Sequence, residues 1–365
     1  MTDKQTESLV EDLKPAQGTI NIEKLLDNIK DFIEEHAILP DGASTAITLW
    51  CLATFNINNF RIFPRLLISS PEKRCGKSTV LDLIEGFVAK PLMTSNMSQA
   101  SIYRVIELCQ PTLIIDEADT FVAGGDNGLT GIINSGHARS RAYVLRCEGT
   151  LFVPRRFSTW SPMALACIGD LQTTIMDRSV IIPLRRKTVQ ETVERLTQDL
   201  IFGAHIERRQ LLKWSEDNTS AIINNLIIPP DLGNDRAIDN WLPLFTLAKL
   251  VSDKWYNECE EAYKLLNTSH SEPDESTLLL SDIHDIFVAN NSAKIHSIDI
   301  VTALVGQKDK PWCEIRNGRS LTQNGLAVKL KKFGIRPISL RHNGTTTQRG
   351  YELQQFTDTF KRYLP

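Results

Sequence analysis

Residues 66–84 read LLISSPEKRCGKSTVLDLI, and this stretch restricts the fold more than any other part of the chain. An uncharged apolar run is followed by a short polar loop, then by residues whose apolar members recur at helical spacing. A buried strand that passes straight into a helix cannot return as a tight hairpin. The helix packs back onto the sheet, and the next strand lies parallel to the first. The loop ends in Gly76-Lys77-Ser78, the second half of the phosphate-loop pattern G-x-x-x-x-G-K-[ST]. Phosphate binding needs converging backbone N–H groups at a helix N-terminus, and the turn from Cys75 to Thr79 would supply them. Gly76 permits close backbone approach, Lys77 reaches the β- and γ-phosphates, and the Ser78 hydroxyl is a ligand for Mg2+. Pro71 stands where the pattern opens with glycine and brings no N–H, but that position mainly shapes the turn. Candidate nucleotide contacts are Pro71, Arg74, Cys75, Gly76, Lys77, Ser78 and Thr79, with ATP and Mg2+ as the expected cofactors. The alternative is an ordinary strand–turn–helix.

A second signal lies 39 residues after Lys77, where PTLIIDEADTF is an apolar strand running into acid. Asp116 can hold the magnesium through water, and Glu117 can polarise an attacking water. The interval has room for a helix, the short strand PLMTS and a second helix. The tetrad DEAD at 116–119 also suggests a DEAD-box protein, but no second RecA-like domain with its Arg-rich motif is visible downstream. Next, PMALACIGDLQTTIMDRSVIIPLRR has the layout of an AAA+ fourth strand, helix and fifth strand. Asp170, with Thr173 as the weaker candidate, is placed to sense the γ-phosphate. Arg178 stands where AAA+ ATPases place an arginine that completes a neighbouring subunit's site, unless it pairs with Asp177 or another acid. Arg236, in GNDRAIDNW, is placed to open a lid helix as a second sensor of the nucleotide.

Composition narrows the setting. No apolar run reaches the length of a membrane span, and the polar, acidic N-terminus is neither a signal nor a transit peptide. Seven cysteines form no CxxC pair, which suits reduced thiols in a cytoplasmic protein, and the seven histidines are dispersed. The net charge of −3 is uneven: Thr277 to Pro365 carry 13 Lys/Arg against 7 Asp/Glu, leaving −9 on the first 276 residues. Any contact with nucleic acid is therefore expected at the C-terminus, against the plainer reading of a solvated basic face.

The expected organisation is a disordered leader (1–19), a helical N-terminal segment (20–60) and a P-loop ATPase core (61–187). A lid that is helical throughout (188–266), a linker (267–276) and a basic domain (277–365) follow. The fold class is α/β, with a parallel sheet buried on both faces. Inside the core, AYVLR and LFVPRRF read as a β-hairpin whose arms carry Arg146, Arg155 and Arg156; hairpins placed here in AAA+ and superfamily-3 helicases grip DNA in a ring's pore, and the alternative is plain solvated surface. In the basic domain three helical stretches precede RPISLRHNGTTTQRGYEL, two strands around Asn343-Gly344. Helices followed by such a wing make a winged helix. Its candidate phosphate contacts are Lys329, Lys331 and Lys332 on the third helix, capped by Thr322 or Ser320, with Arg336, Arg341 and Arg349 near the wing; the alternatives are a protein-contact module or the passive end of a lid.

Taken together, LLISSPEKRCGKSTVLDLI, LIIDEADTF, INSGHARSRAYVLRC, FSTWSPMALACIG, DRSVIIPLRR and DRAIDNWLPLFTLAKL resemble the domain-of-unknown-function 3631 family. Its members are P-loop ATPases of bacteria, phages and mobile elements, often attached to or encoded beside primases. The resemblance runs from about Ile20 to the end, including GYELQQFTDTF, and the family's own loop carries proline at the position of Pro71. It implies a helicase-like ATPase, and priming would need a separate primase or replication protein. The resulting expectation is a homo-oligomeric ring, such as a hexamer, that couples ATP hydrolysis to movement on DNA in a mobile element. Rival expectations are an ATP-switched defence or signalling protein, and a nucleotide-binding loader or scaffold.

Overall fold

The computed structural model describes residues 9–94, 97–119, 127–148, 152–230, 234–268, 275–307, 309–314, 319–342 and 346–364. The chain divides into two compact units, Met1–His270 and Ser271–Pro365. In order, the first unit contains α1 (Ile22–His36), α2 (Ala43–Thr54), β1 (Arg65–Ser70), α3 (Lys77–Phe87), β2 (Pro91–Thr94) and α4 (Gln99–Cys109). Next come β3 (Thr112–Ile115), α5 (Asn127–Ser135), β4 (Tyr143–Glu148), β5 (Val153–Ser158), β6 (Met163–Ile168), α6 (Thr173–Met176) and β7 (Ser179–Pro183). Four helices close the unit: α7 (Gln198–Gly203), α8 (His205–Asn224), α9 (Asp235–Val251) and α10 (Asp253–Thr268).

Among the described residues the main sheet has the order β2-β3-β6-β1-β7, and every pair in it is parallel. Successive side chains on a strand point to opposite faces, and here both faces are dry. Leu66 and Ile68 of β1, Ile114 of β3 and Ala164 and Ala166 of β6 enter one core, with α1, α2, α3 and the late helices. Leu67, Leu113, Ile115, Leu165 and Cys167 enter the other, with α4, α5 and α6. That is why these strands read as unbroken apolar runs. β4 and β5 form a separate antiparallel ladder in which Arg146 faces Arg155.

Two expectations fail in this unit. Residues 184–197 are not helical; the stretch runs past α1, where Glu194 N donates to Glu35 O at 2.8 Å, and Leu196 packs on the core. Val189, Val193 and Leu196 do stand at a helix's apolar spacing, so the extended course against α1 overrides the local pattern. Residues 9–19 are not a loose leader either. Val10 is buried, Glu11 pairs with Arg208 (2.6 Å) and His205 (2.9 Å), and Ala16 N donates to Arg209 O (3.0 Å), so the segment lies along α8.

The second unit contains α11 (Glu275–Asn290), β8 (Lys294–His296), α12 (Ser297–Val305), α13 (Gln323–Lys331), β9 (Ile338–His342), β10 (Thr346–Glu352) and α14 (Thr357–Tyr363). Its antiparallel sheet has the order β8-β10-β9. Thr322 is the residue that caps α13, its Oγ1 accepting from Gly325 N at 3.1 Å. The turn at Asn343-Gly344 lies outside the described residues, but the strands flanking it pair as expected. Asp282 is buried and doubly satisfied, accepting from Trp312 Nε1 (2.6 Å) and Lys310 Nζ (3.0 Å). Among the described residues no helix is long and apolar enough to cross a membrane.

Candidate functional site

The loop between β1 and α3 brings its predicted residues together. Gly76 has φ +86, and a Cβ built there would meet nothing within 4 Å, so the backbone turns left-handed in front of open space. Only glycine adopts that turn without strain. α3 begins at Lys77, leaving its first N–H groups free of helical partners at the loop. Lys77 Nζ donates to Ser70 Oγ (2.6 Å) and Glu72 O (3.4 Å), which holds the ammonium over the loop. Arg74, the other left-handed residue of the turn (φ 67), is exposed, whereas Cys75 is buried. Pro71 and Thr79 flank this arrangement.

Ser78 Oγ donates to Asp116 Oδ2 at 3.1 Å. The loop hydroxyl and the acid at the end of β3 thus meet at the same edge of the sheet, although 38 residues separate them. Glu117 is also left-handed (φ 55), and its N–H donates to Asp116 Oδ1 at 2.9 Å. Gly169 N donates to Ser70 O (2.8 Å), so the exposed Asp170 follows at that edge too. Asp119 accepts from Ile168 N at 3.4 Å and tethers the end of β6. The Cys167 thiol registers this company. It is pushed up to about 11, first by burial, then by Asp119, with Lys77 opposing and Asp170 adding. Asp82, one helical turn after Ser78, was not singled out by sequence reasoning; its carboxyl is raised by burial and then by Asp116.

Arg178 and Arg236 lie elsewhere. β7 runs parallel to β1 with Arg65 beside Ser179, and Arg65 N donates to Arg178 O at 2.9 Å. Arg178 is therefore at the start of the strands and the phosphate loop at their end, about 17 Å away for five residues at ~3.3 Å each. Asp177 does not pair with Arg178; it pairs with Arg236 Nε at 3.3 Å. That pairing places Arg236 at the Arg178 edge, away from the phosphate loop of its own chain. Behind the two arginines, Asn240 Nδ2 donates to Asp177 O (3.1 Å), so its Oδ1 accepts from His137 Nε2 (2.7 Å). Burial, then the charges of Arg65, Arg178 and Arg236, push His137 down to about 4, against the opposing Asn240 bond. Arg65 itself is fully buried, its guanidinium donating to Ile133 O and Ser161 O, and burial followed by Arg178 lowers it to about 9. No local motif announces this cluster; it exists only once the strands are aligned.

The predicted basic surfaces are sorted by their partners. Arg155 is bound by Glu107 (2.6 Å) and Glu148 (2.9 Å), and Arg146 lies over the Tyr103 ring at 5.6 Å. Both lean towards α4. Arg156 sits on the other face of the hairpin, over Tyr143 at 4.7 Å, beside the exposed Leu145. On α13, Lys329 pairs with Glu275 (2.7 Å) and Lys332 with Ser276 Oγ, so both reach back to α11. Lys331 does not. It lines an open groove of about 660 Å³ with Gln323, Asn324, Val328, Arg336 and Arg349. Arg341 is exposed on β9.

Comparisons with known proteins add the following. A curated relative, "Uncharacterized 28.9 kDa protein in xis 5'region" of Saccharopolyspora erythraea, is 26% identical over 140 residues, 37% of this chain and 52% of that protein. The chain thus spans about half the length of the curated relative it matches. Among solved structures, the C-terminal region of NrS-1 is 13% identical over 93% of this chain and 77% of that one, with a TM-score of 0.47. "SCCmec type IV Cch - active helicase" is 13% identical over 96% and 73%, also at 0.47. A full-length MCM homolog from Methanopyrus kandleri is 12% identical over 71% and 63%, at 0.42. At those TM-scores no role passes from them to this chain. Residues 183–363 match the model of the family described as "Protein of unknown function (DUF3631)", a span that begins after the phosphate loop and the acidic strand end and is narrower than the resemblance from Ile20.

Proposed function

We propose that this chain is an ATP-hydrolysing, AAA+-like or superfamily-3-like motor that acts on DNA as a homo-oligomeric ring, in replication or maintenance of a mobile element. The observation that carries the reading is the Ser78–Asp116 contact beneath Lys77, at the C-terminal edge of a parallel sheet. The space before Gly76 suits a phosphate chain, and the hard oxygens of Ser78 and Asp116 suit Mg2+. Bound there, ATP and Mg2+ would supply the phosphoryl group and neutralise its charge. The chain's own part is to bind and orient: Lys77 holds the β- and γ-phosphates, Glu117 polarises a water, and Asp170 faces the terminal phosphate. The strand order supports an AAA+ layout, since β6, fourth of the five in sequence, lies between the two strands that carry the motifs.

A winged helix in the second unit is part of this proposal. The order helix, short strand, two helices and hairpin supports it, and so does the exposed basic groove along α13. A separate primase or replication protein is the partner this reading calls for.

The deciding experiment is ATP turnover with and without single-stranded and duplex DNA. Lys77→Ala is expected to abolish turnover and weaken nucleotide binding, because the charge on the β- and γ-phosphates is lost. Glu117→Gln is expected to bind ATP and not hydrolyse it. Wild-type turnover by Glu117→Gln would sink the assigned water-polarising role. DNA stimulation without strand displacement would favour the ATP-switched defence reading over the motor.

A further inference from the structure

β1 has β6 on one side and β7 on the other. Ser78 and Asp116 meet on the β6 side, so the metal and the terminal phosphate belong there. The remaining half of a nucleotide must leave the loop in the other direction, towards the end of β7. At that end Pro183 lies beside Ser69, and Leu184 N donates to Ser69 O at 2.7 Å. The residues that follow therefore leave the sheet next to the phosphate loop. A cavity of about 220 Å³ opens at this point. Cys75, Gly76 and Thr79 form its loop side, and Ile38, Val80 and Val193 are its apolar walls. Arg74 of the loop and the buried His36 line it as well, and Arg185 and Lys187 line it from the chain leaving β7. Both are exposed, and neither forms an ion pair with a described residue.

We propose that Arg185 and Lys187 bind the sugar–phosphate half of a nucleoside di- or triphosphate in the chain's own site, with the base between the apolar walls of this cavity. This rests on the nucleotide-binding reading above. The volume falls below the roughly 300–1,000 Å³ of a site that encloses a whole drug-sized ligand. It has room for a base, with the sugar at the rim and the phosphates outside on the loop. Charges at that rim meet the phosphate next to the sugar, which di- and triphosphates share. Their contribution is then equal for the two ligands.

The test is equilibrium binding of ADP and of a non-hydrolysable ATP analogue, by calorimetry, to wild type and to the double substitution Arg185→Gln with Lys187→Gln. Charge-assisted hydrogen bonds lead to an expected loss of at least about tenfold, equal for both nucleotides. The salt dependence of binding should also flatten in the double variant. Arg186→Gln, which removes a neighbouring exposed charge that does not line the cavity, should bind as wild type does. Unchanged affinity for both nucleotides in the double variant overturns the proposal, and so does a loss confined to the ATP analogue. A wild type that binds neither nucleotide overturns the nucleotide reading itself.

Discussion

His137 must stay neutral in the folded chain, since burial and three arginines hold it near 4 against an ordinary value of 6.5. A group whose folded value is depressed binds fewer protons folded than unfolded between those two values, so stability rises with pH there. Its contribution should be complete above about 6.5 and lost as the pH falls towards 4, by about 3 kcal/mol at most. His137→Gln keeps a donor for Asn240 without titrating. Urea unfolding from pH 7 to 4.5 should show a smaller decline for this variant than for wild type. Parallel declines would mean that His137 titrates normally. At this scale the sequence was informative wherever chemistry is local. Gly76, Lys77 and Ser78 are adjacent, and their geometry follows from the turn they share. It was silent on Arg65, His137 and Asn240, which are joined only by strand alignment.

Elements were legible where spacing alone decides. β1, α3, β3 and the β4–β5 hairpin fall where apolar runs and alternation put them. The stretch 184–197 was not legible, because its conformation depends on a bond to Glu35 far away in sequence. Charged faces were only partly legible for the same reason: Lys329, Lys331 and Lys332 look equivalent in sequence, and of the three Lys331 lines the groove while the others reach α11. Replacing Lys331, Arg336 and Arg349 with Ala should therefore weaken duplex DNA binding. The slope of log affinity against log salt should flatten by about 0.9 for each phosphate that is no longer neutralised. Lys329→Ala with Lys332→Ala should leave both almost unchanged, because those ammonium groups are engaged by α11. Equal losses in the two sets would place the DNA elsewhere on this unit. On the hairpin, Arg155→Ala should loosen the ladder from α4 by removing the ion pair to Glu107, whereas Arg156→Ala should act on DNA-stimulated turnover alone.

On the scale of the whole molecule, the proposed reaction needs a second copy. Arg178 cannot reach the phosphate loop of its own chain, and Arg236 stands with it. Arg178→Ala and Arg236→Ala proteins should both bind ATP yet be nearly inactive, since an arginine completing a site in trans is worth on the order of 10³–10⁵ in rate. Mixed with Lys77→Ala protein, each should regain part of its turnover. Full activity of a strictly monomeric wild type at every concentration would rule this arrangement out.

The polarity of β7 then sets a rule of counting. A parallel strand offers one end to the loop of its own chain and the other to the outside, so under this reading each copy carries the front of one site and the back of another. An open row of copies always has one loop without an arginine donor and one donor without a loop. Closing the row completes the last site. Hydrolysis per chain should therefore rise with assembly size and step up at closure, making turnover itself a gauge of whether the ring is shut around its substrate.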